Sequence, residues 1–364
     1  MKLHRLPLYA AAASLALAPA HLNAQTTVAT DPVGFTTISV TPGTGTARRT
    51  TMLSIPLLDT AWTNSGLSSG TITSVASNSI VVSNAGWLAG ELSKPSEPHV
   101  VQITSGTAAG RIFLIASSAN TGGASGSAGL ANTATNIFIS PIDSAQISTN
   151  LPATGVAAGN TFKIYACDTL SWFGSPATTG VLGGTSSTNS DNITVTINGS
   201  PTIYYYRTAS TNWVRSGVNS SASNVALVPN IGVAYSRLSS NALSFVATGQ
   251  VPVTNRVAPI KNSGNTVLSQ YWPVATTLRG LGLQNLTNWV KGTNQTSTDN
   301  VTVVSGSTTT TYYYNGTNWR RFPLTSSQDN VTIPIGAAVT VIKKGSAPGY
   351  TPLTQIITNF YNLN

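Results

Sequence analysis

The feature that most constrains this chain is a long internal repeat in its C-terminal half. Residues 191–195, Asp-Asn-Ile-Thr-Val, recur as Asp-Asn-Val-Thr-Val at residues 299–303. The Tyr-Tyr-Tyr run at residues 204–206 recurs at residues 312–314, with the same offset of 108 residues. Two copies are too few for a solenoid, in which many thin repeats stack on one another, so the repeat predicts two β-modules.

Each copy of the repeat has the pattern of a hairpin. Residues 193–197 alternate Ile, Thr and Val, Asn198-Gly199 is a type I′ turn signal, and residues 200–206 form the return strand. In the second copy Asn315-Gly316 is again a two-residue turn that leads towards Trp319. The sequence therefore predicts a three-stranded meander in each module. The predicted fold class is all-β, with tandem antiparallel sandwich-like modules and a duplicated C-terminal half.

The scarcity of charged residues agrees with this fold class. The chain has 364 residues, of which only 7% are charged, whereas soluble proteins average about 25%. Helical bundles and coiled coils need the Glu, Lys and Arg that are missing here, so those classes are excluded. Hydrophobic residues make up 41% of the chain, enough to build a core, which argues against a disordered protein.

Charge divides the chain into two parts near residue 168. Residues 25–169 contain five basic and six acidic side chains, whereas residues 170–364 contain eleven basic and three acidic ones. The net charges are therefore −1 and +8, which indicates a domain boundary. The predicted organisation is a signal peptide at residues 1–24, an N-terminal β domain at 25–168, and C-terminal β modules at 169–250 and 251–364.

The N-terminus has the pattern of a secretory signal peptide. Lys2, His4 and Arg5 precede a short apolar stretch, and small residues follow, with cleavage expected after Ala20 or Ala24. We therefore expect a secreted protein, extracellular or at the cell surface, with the periplasm as the alternative. No later run reaches the roughly 18 apolar residues of a spanning helix, so no transmembrane segment is expected after signal removal.

Three motifs give the chain a resemblance to a known family. They are Asp-Pro-Val-Gly-Phe at residues 31–35, Ile-Thr-Ser-Gly at 103–106 with Ala-Gly-Arg at 109–111, and the Tyr triplet followed by Trp. In these motifs the chain resembles the uncharacterised secreted, repeat-containing β-rich proteins that form large paralogous sets in verrucomicrobial bacteria. It departs from their pattern by a second, weaker module after residue 250. The resemblance implies export and a repeated β-architecture, and it implies no known activity.

The chain has few residues of the types that catalyse reactions. After signal removal His99 is the one histidine that remains whichever site is cleaved, and Cys167 is the only cysteine. Zinc needs three or four such ligands, so no metal site is predicted. No cofactor and no catalytic residue are predicted either. A glycosidase needs two carboxylates beside a cleft. A polysaccharide-active enzyme, the third hypothesis for function, would therefore have to use Glu91 or Glu97.

Three aspartates of the C-terminal half stand in the same phrase, Asp-Asn-(Ile/Val)-Thr, directly before a predicted strand. They are Asp191, Asp299 and Asp329. Repetition at a strand entrance indicates an Asx turn, in which the carboxylate accepts backbone N–H bonds. An oxygen-ligand calcium site is the alternative, although calcium loops cluster several acidic residues and each of these stands alone.

The aromatic residues of the repeat are the candidate ligand-binding residues. Successive side chains of a strand face opposite sides, so at least one face of each Tyr triplet is expected to pack in a core. The alternative is a sugar-stacking surface on the Tyr/Trp hairpins, and a carbohydrate-binding module is thus the second hypothesis for function. Its residues would be Tyr204, Tyr206, Trp213, Tyr312, Tyr314 and Trp319.

Basic residues occur in three adjacent pairs, Arg48-Arg49, Arg320-Arg321 and Lys343-Lys344. These pairs are too sparse for a nucleic-acid footprint, so no nucleic acid partner is expected. A solvated or edge-protecting role is the simpler interpretation, because charged side chains discourage unwanted strand pairing. Contact with an anionic surface polysaccharide is the alternative.

Both ends of the mature chain are apolar and weakly charged. Residues 26–40 favour a strand, and residues 345–364 contain no charged side chain. Uncharged strand edges can pair with a neighbouring copy, although both segments could also be strands of their own domain. The first hypothesis is therefore an exported, non-enzymatic structural or adhesive protein of the cell surface or extracellular matrix that self-associates by strand exchange. The candidate assembly residues are Val33, Phe35, Ile38, Ile356, Ile357, Phe360 and Tyr361.

Overall fold

The computed structural model of the chain describes residues 32–59, 61–117, 131–140, 151–197, 200–218, 220–229, 231–305 and 307–356. The structure is 41% strand and 4% helical, which confirms the predicted all-β class. Within the described residues no helix is long and apolar enough to cross a membrane. The predicted signal peptide at residues 1–24 lies outside the described residues.

Twenty-three strands follow one another along the described chain. The first two are β1 (Val33–Val40) and β2 (Arg49–Leu53). The next seven are β3 (Ser69–Thr71), β4 (Ser74–Val75), β5 (Ser79–Val81), β6 (His99–Ile103), β7 (Ile112–Leu114), β8 (Asn136–Phe138) and β9 (Thr161–Ala166). Five more are β10 (Asn192–Ile197), β11 (Ser200–Arg207), β12 (Asn212–Arg215), β13 (Val233–Arg237) and β14 (Leu243–Gln250). The last nine are β15 (Arg256–Lys261), β16 (Gly264–Ser269), β17 (Thr276–Thr277), β18 (Asn300–Ser305), β19 (Thr308–Tyr314), β20 (Trp319–Arg320), β21 (Thr332–Ile333), β22 (Ala338–Lys343) and β23 (Tyr350–Gln355).

Strand pairing divides these strands into three groups. In the first sandwich, a five-stranded sheet of order β12-β11-β10-β13-β2 is accompanied by the two-stranded ribbon β1-β14. In the second sandwich, a sheet of order β20-β19-β18-β22-β16 is accompanied by the ribbon β15-β23 and the short pair β17-β21. The inserted region, between β2 and β10, contains the sheets β3-β9-β6-β7 and β4-β5-β8. Short 3₁₀ helices lie at Leu151–Thr154, Leu170–Phe173 and Leu283–Asn285.

Both sandwiches follow one strand order, with a meander, a fourth strand beside its first strand, and an N-terminal strand at the edge. The common order is consistent with the duplication that the sequence predicts, which stays a prediction. The first sandwich also includes β1 and β2, because β1 pairs with β14 and β2 pairs with β13. Strands β1 and β2 lie in the predicted N-terminal domain, residues 25–168, and yet they pair with strands of the predicted first C-terminal module, residues 169–250.

The ribbon and the sheet of the first sandwich share a core because their side chains alternate. Along β14, Leu243, Phe245 and Ala247 are buried, while the residues between them are exposed. Phe173, from the 3₁₀ helix, lies in this core, with its ring centroid 5.1 Å from Phe245 and 6.1 Å from Trp213. A further apolar cluster joins the inserted region to the first sandwich: Leu58, Val100, Ile112, Leu114, Tyr165, Cys167, Ala226 and Val228.

The two sandwiches approach each other closely at two glycines. The N–H of Gly232 donates to Val267 O at 3.2 Å, and the N–H of Ser54 donates to Gly336 O at 2.8 Å. A Cβ atom on Gly232 would lie 2.5 Å from the Cβ of Ala338, which is far inside van der Waals contact. The close approach therefore depends on a residue without a side chain at this position.

A buried ion pair connects the segments of the first sandwich at the start of β10. The carboxylate of Asp191 is fully buried, and its Oδ2 accepts from the guanidinium of Arg237 and from the Tyr235 hydroxyl at 2.9 Å. The same carboxylate accepts from the backbone N–H groups of Leu182 at 2.9 Å and Leu238 at 2.8 Å. Burial and then the charge of Asp191 raise the pKa of the Tyr235 hydroxyl, so this group remains a donor.

The second sandwich has the same arrangement with a lysine in place of the arginine. Asp299 is fully buried and accepts from the ammonium of Lys343 and from the backbone N–H groups of Val290 and Lys344, both at 2.7 Å. Lys343 Nζ lies 4.8 Å from the centroid of the Trp289 ring, a cation–π contact. Each carboxylate thus joins the loop before its strand to the end of the neighbouring strand.

These contacts correct two expectations from the sequence. The carboxylates of Asp191 and Asp299 do accept backbone N–H bonds, but the donors belong to distant segments, so the groups are not Asx turns. Lys343 is buried rather than solvated, whereas its neighbour Lys344 is exposed, because alternation along the strand turns them to opposite sides. Asp329 differs from the other two, since its Oδ1 accepts from the N–H of Trp319 at 2.7 Å and its Oδ2 pairs with a half-exposed arginine.

Replacing Lys343 by Met is expected to lower the free energy of unfolding by about 3–5 kcal/mol, because the buried Asp299 would lose the cation that it binds. Urea denaturation of the variant measures this loss. Lys344→Met is the matched control on the adjacent, exposed position, and its free energy of unfolding should change by less than about 0.5 kcal/mol. Equal losses in the two variants would contradict the assignment.

Candidate functional site

Five of the six predicted ligand-binding side chains are buried: Tyr204, Trp213, Tyr312, Tyr314 and Trp319. Tyr206 is half-buried, and its ring packs edge-on against Trp213 with centroids 5.8 Å apart. Trp319 packs against Trp289 and Tyr314, with both ring centroids 5.6 Å away. The six residues therefore form parts of two cores, and they do not present an open face on which a sugar ring could stack.

The residues that a polysaccharide-active enzyme would need are held by local contacts. Glu91 is half-buried, and its Oε2 accepts from Ser65 Oγ at 2.5 Å. Glu97 is exposed and lies 3.8 Å from the ammonium of Lys94. His99 is buried as the first residue of β6, with Nδ1 3.1 Å from Leu92 O, and burial lowers its pKa. Among the described residues no group of three His, Cys, Asp or Glu could hold a metal ion.

One carboxyl group has a pKa far from its ordinary value. Burial, and then the negative charge of Asp59, raise the pKa of Asp168 to about 7. Asp168 follows β9, where the chain returns from the inserted region to the first sandwich. The two carboxyl groups are 109 residues apart in sequence, so no local motif indicates their proximity. The protonation of Asp168 therefore affects the place where the inserted region meets the first sandwich.

The β1 strand presents one set of backbone groups away from its partner. The N–H of Val251 donates to Pro32 O at 2.7 Å, so these residues form a hydrogen-bonded antiparallel pair. Gln250 exchanges both of its backbone bonds with Leu58, on the side away from β1. Because bonded and non-bonded pairs alternate, every second residue of β1 directs its N–H and C=O outward. These outward residues are Val33, Phe35, Thr37 and Ser39.

The same residues carry exposed apolar side chains. Val33 is 76% exposed and Phe35 is 77% exposed, and Val246 on β14 is 57% exposed on the same face of the ribbon. Neither β1 nor β14 contains a charged residue. Ile38, a predicted assembly residue, is buried in the core instead, because it lies on the opposite face of β1. Within the described chain the outward backbone groups of β1 have no hydrogen-bond partner.

The ribbon of the second sandwich has the corresponding edge blocked. On β15, the outward N–H of Val257 donates to Gly110 O at 3.0 Å, and the outward position 259 is a proline, which has no N–H. Pro259 pairs in register with Pro352 of β23, so both edges of that ribbon carry a proline. Proline is a common means of protecting strand edges against pairing.

Equivalent positions of the two ribbons can be matched through a shared cap. The N–H of Lys261 donates to Thr266 Oγ1 at 3.0 Å, and in the first sandwich the N–H of Thr41 donates to Thr51 Oγ1 at 2.9 Å. Two residues before each capped N–H stand Pro259 and Ser39. Ser39 pairs in register with Ser244, so a serine pair occupies the place of the proline pair.

The C-terminal assembly residues are described only in part. Ile356 follows β23 and is 44% exposed. Ile357, Phe360 and Tyr361 lie outside the described residues. The structure therefore brings Val33 and Phe35 together on one uncharged ribbon edge and separates them from Ile38.

The Asp168 carboxyl is expected to make the wild-type protein less stable as the pH rises, and Asp168→Asn should remove this effect. The unfolded carboxyl loses its proton near pH 4 and the folded one near pH 7, so between these values the folded state binds the additional proton. Stability therefore decreases as pH rises through this range, by about 1.4 kcal/mol per pH unit at the steepest. Urea denaturation of wild type and variant from pH 4.5 to 8 measures the difference.

The exposed Glu97 supplies the control for this measurement. Glu97→Gln removes a carboxylate that lies in solvent, and its free energy of unfolding should follow the wild-type pH dependence. A difference between Asp168→Asn and wild type that stays constant from pH 4.5 to 8 would contradict the raised pKa.

Comparison with known proteins gives no relative for this chain. No family model matches it, no curated protein matches it, and no solved structure matches it. The resemblance noted from the sequence motifs is therefore untested, and inferences about function depend on the geometry of the chain itself.

Proposed function

We propose that the chain is an exported, non-enzymatic structural or adhesive protein of the cell surface or extracellular matrix, and that it self-associates through β1. The observation that carries this proposal is the run of outward N–H and C=O groups on β1 beside exposed Val33 and Phe35. An unpaired, uncharged strand edge is a template for another strand. Export is supported by the signal peptide that the sequence predicts.

The partner that fits this edge best is β1 of a second copy. Antiparallel pairing of two β1 strands about a two-fold axis would produce the four-stranded sheet β14-β1-β1-β14, with the same patch used on both copies. If the axis passes at Thr36, Phe35 of one copy lies beside Thr37 of the other. Neither strand contains a charge, so no like charges would oppose each other.

The β1 edge fits this role better than the other edge of the ribbon. On β14, Gln250 already exchanges two backbone bonds with Leu58, which closes one end of that edge. Among the residues that the structure describes, none makes such a contact with the outward groups of β1 from Val33 to Ser39. A pairing of β1 with β14 of the next copy would also leave edges open and grow without limit, whereas the β1–β1 pairing forms a closed dimer.

The other two hypotheses have less support from the geometry. A carbohydrate-binding surface on the Tyr/Trp hairpins would need those rings in solvent, and five of the six are buried. A polysaccharide-active enzyme based on Glu91 or Glu97 would need a second carboxylate nearby, and each of these groups contacts a Ser or Lys instead.

Ser39→Pro is expected to weaken self-association at least tenfold, about 1.4 kcal/mol. It removes an outward N–H and leaves the bonds between β1 and β14 intact, as Pro259 does in the second sandwich. Sedimentation velocity of the mature chain over a concentration series measures the monomer–dimer equilibrium. Phe35→Lys, which places a charge on the same edge, should have a similar effect.

Ser244→Pro is the matched control, because Ser244 is the register partner of Ser39 and directs its N–H to the opposite edge of the ribbon. Its dimer should form as in wild type. Loss of association in Ser244→Pro with retention in Ser39→Pro would assign the interface to β14 instead. Wild-type protein that remains monomeric at the highest concentrations would contradict the proposal.

A further inference from the structure

A cleft of about 400 Å³ lies between the inserted region and the ribbon of the second sandwich. Arg111 and Thr154 line it from the inserted region, and Asn262 and Tyr350 line it from the second sandwich. The volume is at the lower end of the roughly 300–1,000 Å³ that is typical of small-molecule sites. The cleft is separate from the β1 edge, since the residues that line it belong to neither β1 nor β14.

The backbone fixes the position of Arg111 at the wall of the cleft. Arg111 ends the β6–β7 loop, where its N–H donates to Ala108 O at 3.0 Å and its carbonyl accepts from Ile103 N–H at 2.9 Å. Gly110 has a φ of 89°, and a Cβ atom there would lie 2.4 Å from Asn255 O. The loop is thus bound tightly against the second sandwich, and the Ala-Gly-Arg motif of the sequence places its arginine beside the cleft.

Within the part of the chain that the structure describes, the guanidinium of Arg111 has no partner. Arg111 takes part in none of the ion pairs and in none of the side-chain hydrogen bonds of the described residues. Burial lowers the pKa of this guanidinium, and an arginine nevertheless keeps its charge at neutral pH. By contrast, Arg237 is buried and paired with Asp191, and Arg279 is paired with Asp329. A half-buried, unpaired cation with five N–H donors is arranged to bind an anion.

The other walls of the cleft are suited to a sugar ring. Three prolines and a tyrosine line the cleft: Pro259, Pro348, Pro352 and Tyr350. Their rings are flat apolar surfaces, against which the C–H faces of a pyranose can pack. Asn262 and Thr154 also line the cleft, and the Asn262 amide is held in place by hydrogen bonds with Pro348 O, Asn288 and Thr351. The Thr154 hydroxyl donates to Leu151 O at 2.7 Å, so its oxygen remains able to accept a bond from a ligand hydroxyl.

We infer that this cleft binds a carboxylated sugar, with the guanidinium of Arg111 paired to the carboxylate of a uronic acid residue. The planar fork of an arginine matches a carboxylate through two parallel hydrogen bonds, which a neutral sugar cannot form. The site would give the proposed surface protein a direct contact to an acidic polysaccharide. The inference does not depend on self-association through β1.

Isothermal titration calorimetry of the mature chain with trigalacturonate tests the inference. Wild type should bind trigalacturonate, and the neutral maltotriose should bind at least tenfold more weakly. Arg111→Gln should weaken trigalacturonate binding at least tenfold. Arg111→Lys keeps the charge and loses the planar fork, so its affinity should lie between those of wild type and Arg111→Gln. Arg321→Gln removes an exposed arginine away from the cleft and should bind as wild type does.

Two outcomes would overturn the inference. One is an absence of trigalacturonate binding to the wild-type chain, or binding that Arg111→Gln leaves unchanged. The other is binding of trialanine, whose terminal carboxylate has the same charge, in the absence of trigalacturonate binding, since this would assign the cleft to peptides. Should Arg111→Gln not fold, Tyr350→Ala removes a different wall of the same cleft and should also weaken binding at least tenfold.

Discussion

The buried carboxylate at the start of the central strand is the contact on which each sandwich depends. Asp191 and Asp299 lie at 0% exposure, and each binds a buried cation together with two backbone N–H groups from different segments. In a chain with only nine acidic residues, two are used in this way. A buried ion pair adds little net stability when complete, but removal of either partner leaves an unpaired charge in the core, so it favours one arrangement of the strands.

This arrangement also explains how a chain without disulfides builds large sheets. The single cysteine, Cys167, is free and buried, so no cross-link joins the segments. The first sandwich is assembled from strands on both sides of the inserted region, and β1 must find β14 about 200 residues later. Alternating burial on each strand and the Asp191–Arg237 pair together fix which face and which register are used.

The proposed function depends on a difference between two similar ribbons. Pro259, Pro352 and the contact of Val257 with Gly110 block the second ribbon. The first ribbon has Ser39 and Ser244 at the matched positions, and an exposed phenylalanine, Phe35, lies on the same strand as Ser39. Since the chain as a whole has few charges to protect its edges, an edge that lacks proline as well is the place where pairing with another copy is least opposed.

The sequence predicts what is local in this fold. The meander of β10, β11 and β12 follows from alternation and a turn signal, and the structure contains it. The partners of β1 and β2 could not be predicted, because nothing within either strand specifies a partner at long sequence separation. The contact between Lys343 and Asp299 could not be predicted for the same reason. The sequence shows a basic pair and an Asx-turn pattern, and only the fold shows that these two side chains meet. The uncharged segment that contains Val33 and Phe35 could be recognised from its sequence. The burial of Ile38 could not, because it depends on the side of the strand to which each side chain points.

Hydrogen–deuterium exchange of a chain that begins at residue 25, measured at low and high protein concentration, tests the central claim most directly. The account predicts that amides of Phe35, Thr37 and Ser39 exchange rapidly in dilute solution and become protected as concentration rises. Amides of β15, residues 256–261, should show the same protection at both concentrations. Concentration-dependent protection at another surface, or none in β1 under conditions where the protein associates, would contradict the account.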